Sequence, residues 1–352
     1  MTAANWKSVR RIAAVSCITF MSVGSAAFGA GEAGGAFSAS SPAVTGTGQQ
    51  AAAAQPEPRL MPGAIASLRQ AIDDLERTFG ERYQRGREFA DRLAAIERDA
   101  ASPESDRGAS FAALRREALL ANPLLDGLRL LVVKRRPAMI PKQRRKGAWA
   151  WEAGTELAMP SNHECNSSLK KDGHDNEIAV LSLAAPDEPW KTLHRPADGG
   201  YVGEMDLNWD GERLLFAQSD AENWKIWEMR ADGSGLRQVS RMPPDVDCMD
   251  PCYLPDGKIL FGCTASYQSV PCWHGLKWVS NLYVMEADGT GVRQLCFDQD
   301  HDLHPVVLPN GQVMYSRWDY TGINHIYLRM LMVMNPDGTG QRAVYGSNSW
   351  YP

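Results

Sequence analysis

The stretch "YLPDGKILF", residues 253–261, has counterparts in "NWDGERLLF" at 208–216 and "VLPNGQVMY" at 307–315. Each places Asp-Gly or Asn-Gly ahead of polar residues and a short apolar run. That dipeptide supplies the positive φ angles of a tight hairpin turn, so each stretch predicts two strands joined by a turn. A second motif follows each: "IWEMRADGSGLRQV" at 226–239, "LYVMEADGTGVRQL" at 282–295 and "LMVMNPDGTGQRAV" at 331–344. These also read as strand, Asp-Gly turn, strand. The turn glycines Gly211, Gly257 and Gly311 lie 46 and 54 residues apart. Two hairpins per unit make four antiparallel strands, and four strands at a period near fifty predict propeller blades.

Working outward, a weaker blade precedes these three. Its strands are read at 130–134, in "NEIAVLSL" at 176–183 and in "WKTLH" at 190–194, around an insertion holding "KQRRKGAWAW" and "NHECNSSLKKDGHDN". The fold class is therefore mainly β, a propeller of about four visible blades over residues 128–352. An α-helical leader is expected at 59–127. Ile65, Leu68, Ile72, Leu75 and Phe79 recur at helical spacing before Gly80, and two further helical stretches follow. Their apolar faces need a surface to cover, which we expect to be the propeller. Residues 31–58, rich in Ala, Gly, Ser, Thr, Gln and Pro, read as a flexible linker.

Residues 1–30 read as an export signal. Lys7, Arg10 and Arg11 precede a short apolar run with small residues at its end. A periplasmic or secreted protein with no membrane span after cleavage is expected. The net charge is −5, but residues 151–352 alone sum to −13. That sign argues against nucleic acid as a partner of the propeller. Behind a cleaved signal six cysteines remain, and an oxidising compartment favours disulfides over a metal site. Cys248, Cys252, Cys263 and Cys272 fall in one blade, and at least one bridge is expected within 248–272.

The residues also resemble a known family. "DNEIAVLS", "GSGLRQVS", "CYLPDGKILF", "VPCWHG", "RQLCFDQDHD" and "MNPDGTGQ" look like the TolB-type propeller repeat. They resemble more closely still the middle, propeller domain of the hydrazine synthase α subunit and its exported relatives. The resemblance covers roughly 128–352 and implies a TolB-like, WD-type β-propeller. Hydrazine synthase is a multihaem enzyme that joins nitric oxide and ammonium, and its haem-bearing part lies beyond the propeller. Covalent c-type haem needs Cys-x-x-Cys-His. That motif does not occur here: Cys248 and Cys252 are followed by Tyr253, and Cys272-Trp273-His274 has a single cysteine. No covalent haem is expected, and a haem stain surviving denaturing electrophoresis would contradict this.

"DQDHDLHP", residues 298–305, is the most suggestive constellation for chemistry. Asp300, His301 and His304 are the candidate ligands of a divalent metal such as zinc. The alternative is a hydrogen-bonded loop whose aspartates cap backbone N–H groups. In the family the residue before this proline is often Cys, and His304 takes its place here. His163, Cys165 and His174 form a looser set read as a polar loop. No phosphate-cradling glycine loop and no nucleophile-elbow serine is present in the sequence.

The function expected is a binding or scaffold protein, with a protein partner or as a subunit of a periplasmic complex. The alternatives are a metal- or haem-dependent oxidoreductase subunit with its site around His301 and His304, and a truncated fragment without function of its own. Tyr351-Pro352 falls where a further blade is due to begin, so an incomplete propeller is expected.

Overall fold

The computed structural model describes residues 12–14, 60–99, 101–136, 160, 164–183, 188–273, 275–320 and 329–346. The linker, most of the export-signal segment, the "KQRRKGAWAW" stretch, His163, His274 and Tyr351-Pro352 lie outside them. The chain divides into two compact units, Thr19–Asp126 and a second formed by Met1–Ile18 with Gly127–Pro352. No helix among the described residues is long and apolar enough to cross a membrane.

Among its described residues the first unit holds three α-helices, α1 (Ala64–Phe79), α2 (Gly86–Arg98) and α3 (Glu104–Leu120). Leu68, Ile72 and Leu75 of α1 pack with Phe89 and Leu93 of α2 and with Phe111, Leu114 and Ala118 of α3. The helices thus bury their apolar faces in one another, whereas the sequence suggested that they cover the propeller. Three amphipathic helices supply enough facing apolar surface to close a small core of their own. Tyr83 sits in that core and donates its hydroxyl to the Ala118 carbonyl at 2.9 Å.

The described residues of the second unit form a series of four four-stranded sheets. The first contains β1 (Ile12–Ala14), β2 (Arg129–Arg136), β3 (Asp175–Ser182) and β4 (Lys191–His194). The second contains β5 (Val202–Leu207), β6 (Arg213–Ser219), β7 (Trp224–Arg230) and β8 (Arg237–Gln238). The third contains β9 (Cys248–Tyr253), β10 (Ile259–Cys263), β11 (Asn281–Met285) and β12 (Arg293–Gln294). The fourth contains β13 (Asp302–Val307), β14 (Val313–Trp318), β15 (Arg329–Met334) and β16 (Arg342–Tyr345). The last three are antiparallel meanders in chain order, as two hairpins per repeat require. The first differs, because β1 joins β2 in parallel. That short strand comes from the segment read as an export signal.

The hydrophobic cores lie between consecutive sheets. Leu131, Val133 and Ile178 meet Val202, Leu214 and Phe216 across the first gap. Leu215, Ala217 and Ile226 meet Ile259, Phe261 and Tyr283 across the second. Leu260, Leu282 and Val284 meet Val313, Tyr315 and Met332 across the third. Alternate residues of β10 therefore serve different cores, Ile259 and Phe261 on one face and Leu260 on the other. A strand buried on both faces reads as a continuous apolar run, which explains "ILF" in the repeat.

The second Asp-Gly turn of each repeat does more than reverse the chain. A Cβ on Gly289 would lie 2.1 Å from the carbonyl oxygen of Val239, in the preceding repeat. Gly338 approaches the Leu295 carbonyl and Gly233 the Leu193 carbonyl in the same way, each to 3.2 Å. In the first two of these turns the arginine that follows reaches forward. Arg237 donates to the Ala287 carbonyl at 3.0 Å, and Arg293 to the Asp337 carbonyl at 3.3 Å. Glycine and arginine of this motif thus join each repeat to its neighbours.

Candidate functional site

Of the first strands of the last three sheets, β5, β9 and β13, the middle one, β9, lies against both of the others. Each carries a bulge at the same place. Register breaks separate Gly203 from Asp206 in β5 and Leu303 from Val306 in β13, and β9 breaks opposite Leu260 and Gly262. Two residues of the bulged strand then face one of its partner, which bends the strand and turns a side chain out of the regular alternation. The residues at the bulges are Glu204, Asp250 and His304, at φ of 48°, 50° and 55°. Left-handed backbone at a residue with a Cβ costs roughly 1–2 kcal/mol. Here it recurs at the third residue of three successive first strands, each time on an ionisable side chain.

The bulges bring these side chains together. Asp250 Oδ2 accepts the His304 backbone N–H at 3.1 Å and lies 3.1 Å from His304 Nδ1. The Asp250 side chain is 4% exposed and that of His304 56%. Burial works to raise the Asp250 carboxyl, but the charge and hydrogen bonds of His304 outweigh it, and the net shift is downward. Asp250 in turn raises the imidazole from 6.5 to about 9. Glu204 Oε1 accepts the Tyr201 hydroxyl at 2.7 Å and stands 4.0 Å from Arg135 Nη2. Burial, and after it the Asp250 charge, push the Glu204 carboxyl up. Arg135 also donates to the Tyr201 hydroxyl. Asp250 Oδ1 is buried with no hydrogen-bond partner among the described residues.

One pH dependence follows from the Asp250–His304 pair. Because the folded imidazole titrates near 9 and the unfolded one near 6.5, its contribution is fully present below pH 6.5. It is lost as pH rises through 9. With the imidazole more than half exposed, about 1 kcal/mol is expected after solvent screening. Denaturant titrations at pH 6 and pH 9.5 should show that loss in the parent and not in His304→Gln. Equal losses in both proteins would remove the pair as its source.

The other residues singled out in the sequence are dispersed. Asp300 is buried just ahead of β13. Its Oδ2 accepts the Tyr320 N–H at 2.7 Å, and its carbonyl accepts Asn281 Nδ2 at 3.0 Å. Burial raises its carboxyl. His301 is fully buried, its Nδ1 accepting the Ser280 N–H at 3.1 Å and its ring centroid 5.5 Å from that of Trp318. His304 faces Asp250 of the preceding sheet instead. Among the described residues no group of three or more His, Cys, Asp or Glu is placed to hold a metal ion. Neighbours in sequence, Asp300, His301 and His304 are separated by the start of the strand and by its bulge. His174 Nε2 donates to the Lys170 carbonyl at 2.8 Å, as a polar loop residue does.

Glu204 and Arg135 were not singled out from the sequence, although a signal was there. Glu204, Asp250 and His304 each stand seven residues before the turn glycine of their repeat. A polar residue at the start of an otherwise apolar strand, repeated in register, marks this cluster. Of the cysteines, Cys165, Cys248, Cys252, Cys263 and Cys296 are buried and unbonded, and the side chain of Cys272 lies outside the described residues.

No protein-family model matches the chain, and no curated protein matches it. Solved structures do. A TolB of Agrobacterium tumefaciens matches at 15% identity and a TM-score of 0.39, over 49% of this chain and 57% of that one. Hydrazine synthase of Kuenenia stuttgartiensis matches at 19% identity and a TM-score of 0.42, over 49% of this chain and 28% of that one. TolB of Acinetobacter baumannii matches at 13% identity and a TM-score of 0.37, over 49% and 38%. The chain thus spans between 28% and 57% of the length of these proteins. At TM-scores of 0.37 to 0.42 these likenesses say nothing of activity.

Proposed function

We propose that this chain is an exported binding or scaffold protein of the β-propeller type, and that Glu204, Asp250 and His304 form its recognition site within a periplasmic complex. The observation that carries the reading is the repeated strain. Three successive first strands hold an ionisable residue in left-handed backbone, where glycine would rest without cost. Strain of this kind persists where a side chain is needed in one place. The cluster combines an acid with a raised pKa, an ion pair and a phenol, and two buried carboxylate oxygens in it, Glu204 Oε2 and Asp250 Oδ1, lack a hydrogen-bond partner among the described residues. Such a set can recognise a polar or charged group.

The test replaces all three residues by glycine, which removes strain and side chains together. If the side chains serve recognition, the triple variant unfolds within about 1 kcal/mol of the parent, because relief of left-handed strain offsets the lost ion pair and hydrogen bond. A loss above about 3 kcal/mol, the range of a broken buried network, would assign the cluster to holding the sheets together. Denaturant unfolding of the two proteins at pH 7 decides between them.

A further inference from the structure

We propose that Cys248 and Cys263 are oxidised to a disulfide that staples β9 to β10 within the first hairpin of the third sheet. The two residues are direct partners in the antiparallel register. Their sulfurs are 4.0 Å apart. The next pair outward is hydrogen-bonded, the Thr264 N–H donating to the Asp247 carbonyl at 3.1 Å. Cys248 and Cys263 therefore occupy a non-hydrogen-bonded pair, where opposed Cα atoms approach to about 4.5 Å. That separation falls within the span a disulfide bridges, and side-chain rotation has only to bring the sulfurs to about 2.05 Å.

The other described thiols have different neighbours. Cys165 Sγ lies 3.1 Å from Ser167 Oγ, Cys252 Sγ lies 3.7 Å from the Tyr253 carbonyl, and Cys296 Sγ lies 3.9 Å from Met334 Sδ. Cys252 is opposite Leu260, so its register places no sulfur across from it. Among the described thiols, this is the pairing that the sheet itself has aligned.

Packing also sets when the bond forms. Cys248 is 1% and Cys263 0% exposed, in a core with Phe261, Tyr283 and Met285. An oxidant cannot reach either sulfur once that core is closed. Oxidation therefore precedes the packing of the second sheet on the third. The oxidant is a disulfide, small or protein-borne. One thiol loses its proton and displaces a thiolate from the oxidant, giving a mixed disulfide. The second loses its proton and displaces the other half. One S–S bond breaks, one forms, and the oxidant leaves as two thiols.

The experiment uses the full chain exported to an oxidising compartment, denatured with alkylating agent and no reductant, and mapped by mass spectrometry of its peptides. A cross-linked peptide pair joining Cys248 to Cys263 is expected, and it should persist in Cys252→Ala. Native protein held with dithiothreitol should keep the bond, and protein in denaturant should lose it. Full alkylation of both cysteines, or a bond from either one to Cys252 or Cys272, overturns the proposal. Rapid reduction in the native state would overturn the order of events. If Cys252→Ala does not accumulate, the map of the unaltered chain decides alone.

Discussion

Gly289→Ala destabilises the β unit by roughly 3 kcal/mol or more, while Gly257→Ala costs only about 1 kcal/mol. Both glycines sit in Asp-Gly turns at nearly the same positive φ, +85° and +88°. The backbone penalty of a side chain is therefore shared. The difference lies in what the new methyl meets. At Gly257 there is nothing within 4 Å, whereas at Gly289 the methyl would stand 2.1 Å from the Val239 carbonyl. That atom belongs to the main chain of the preceding repeat, so relief requires the two sheets to separate. Separation opens the core that holds Phe261 and Tyr283. Denaturant unfolding of the two variants measures the comparison. Equal losses would mean that the turn does not pack sheet against sheet.

Arg317→Met should cost about 3–5 kcal/mol at pH 7, the range seen when one partner of a buried ion pair is removed. Arg317 Nε donates to Asp302 Oδ1 at 2.8 Å, and the Asp302 side chain is 0% exposed. Arg317 also reaches Asp298 at 2.5 Å. Even with its partner in place, burial pushes the Asp302 carboxyl up to about 6. Without the guanidinium the carboxyl rises further, and at pH 7 it must take up a proton or remain as an unpaired buried charge. An acid whose folded pKa lies above its unfolded value destabilises the fold above that unfolded value. The deficit of Arg317→Met should therefore shrink as pH falls toward 5. The double variant Arg317→Met, Asp302→Leu should recover most of the loss, because no uncompensated charge remains. A loss under about 1 kcal/mol for the single variant would show that the pair is solvated in solution.

The turns were the most legible part of the chain. Gly211, Gly257 and Gly311 adopt the positive φ that their Asp-Gly and Asn-Gly contexts demand. The apolar runs beyond Gly211 and Gly257 became strands buried on both faces, and the run beyond Gly311 a strand whose burial alternates. These are local requirements, met by neighbouring residues, and the pattern repeats often enough to cancel the ambiguity of any one copy. The helices were legible as helices, but their packing was not. An amphipathic face states that something must cover it and not what does, and here the three helices cover one another.

The candidate site was legible only in part, for a geometric reason. Crowding of Asp300, His301 and His304 in sequence suggested a shared site. Yet strand alternation begins only at Asp302, and the bulge turns His304 toward Asp250. Its partners lie one and two repeats away. The pairing that aligns Cys248 with Cys263 depends likewise on the register of β9 against β10, set beyond the reach of either residue's neighbours. Turn chemistry and apolar periodicity act over a few residues, so the chain alone prescribed hairpins, their repeat and the mainly β class. Which ionisable groups meet depends on bulges and on sheets laid side by side. Those arise only when separated segments pack, because desolvation and charge act through space over a few ångströms, whatever the distance along the chain.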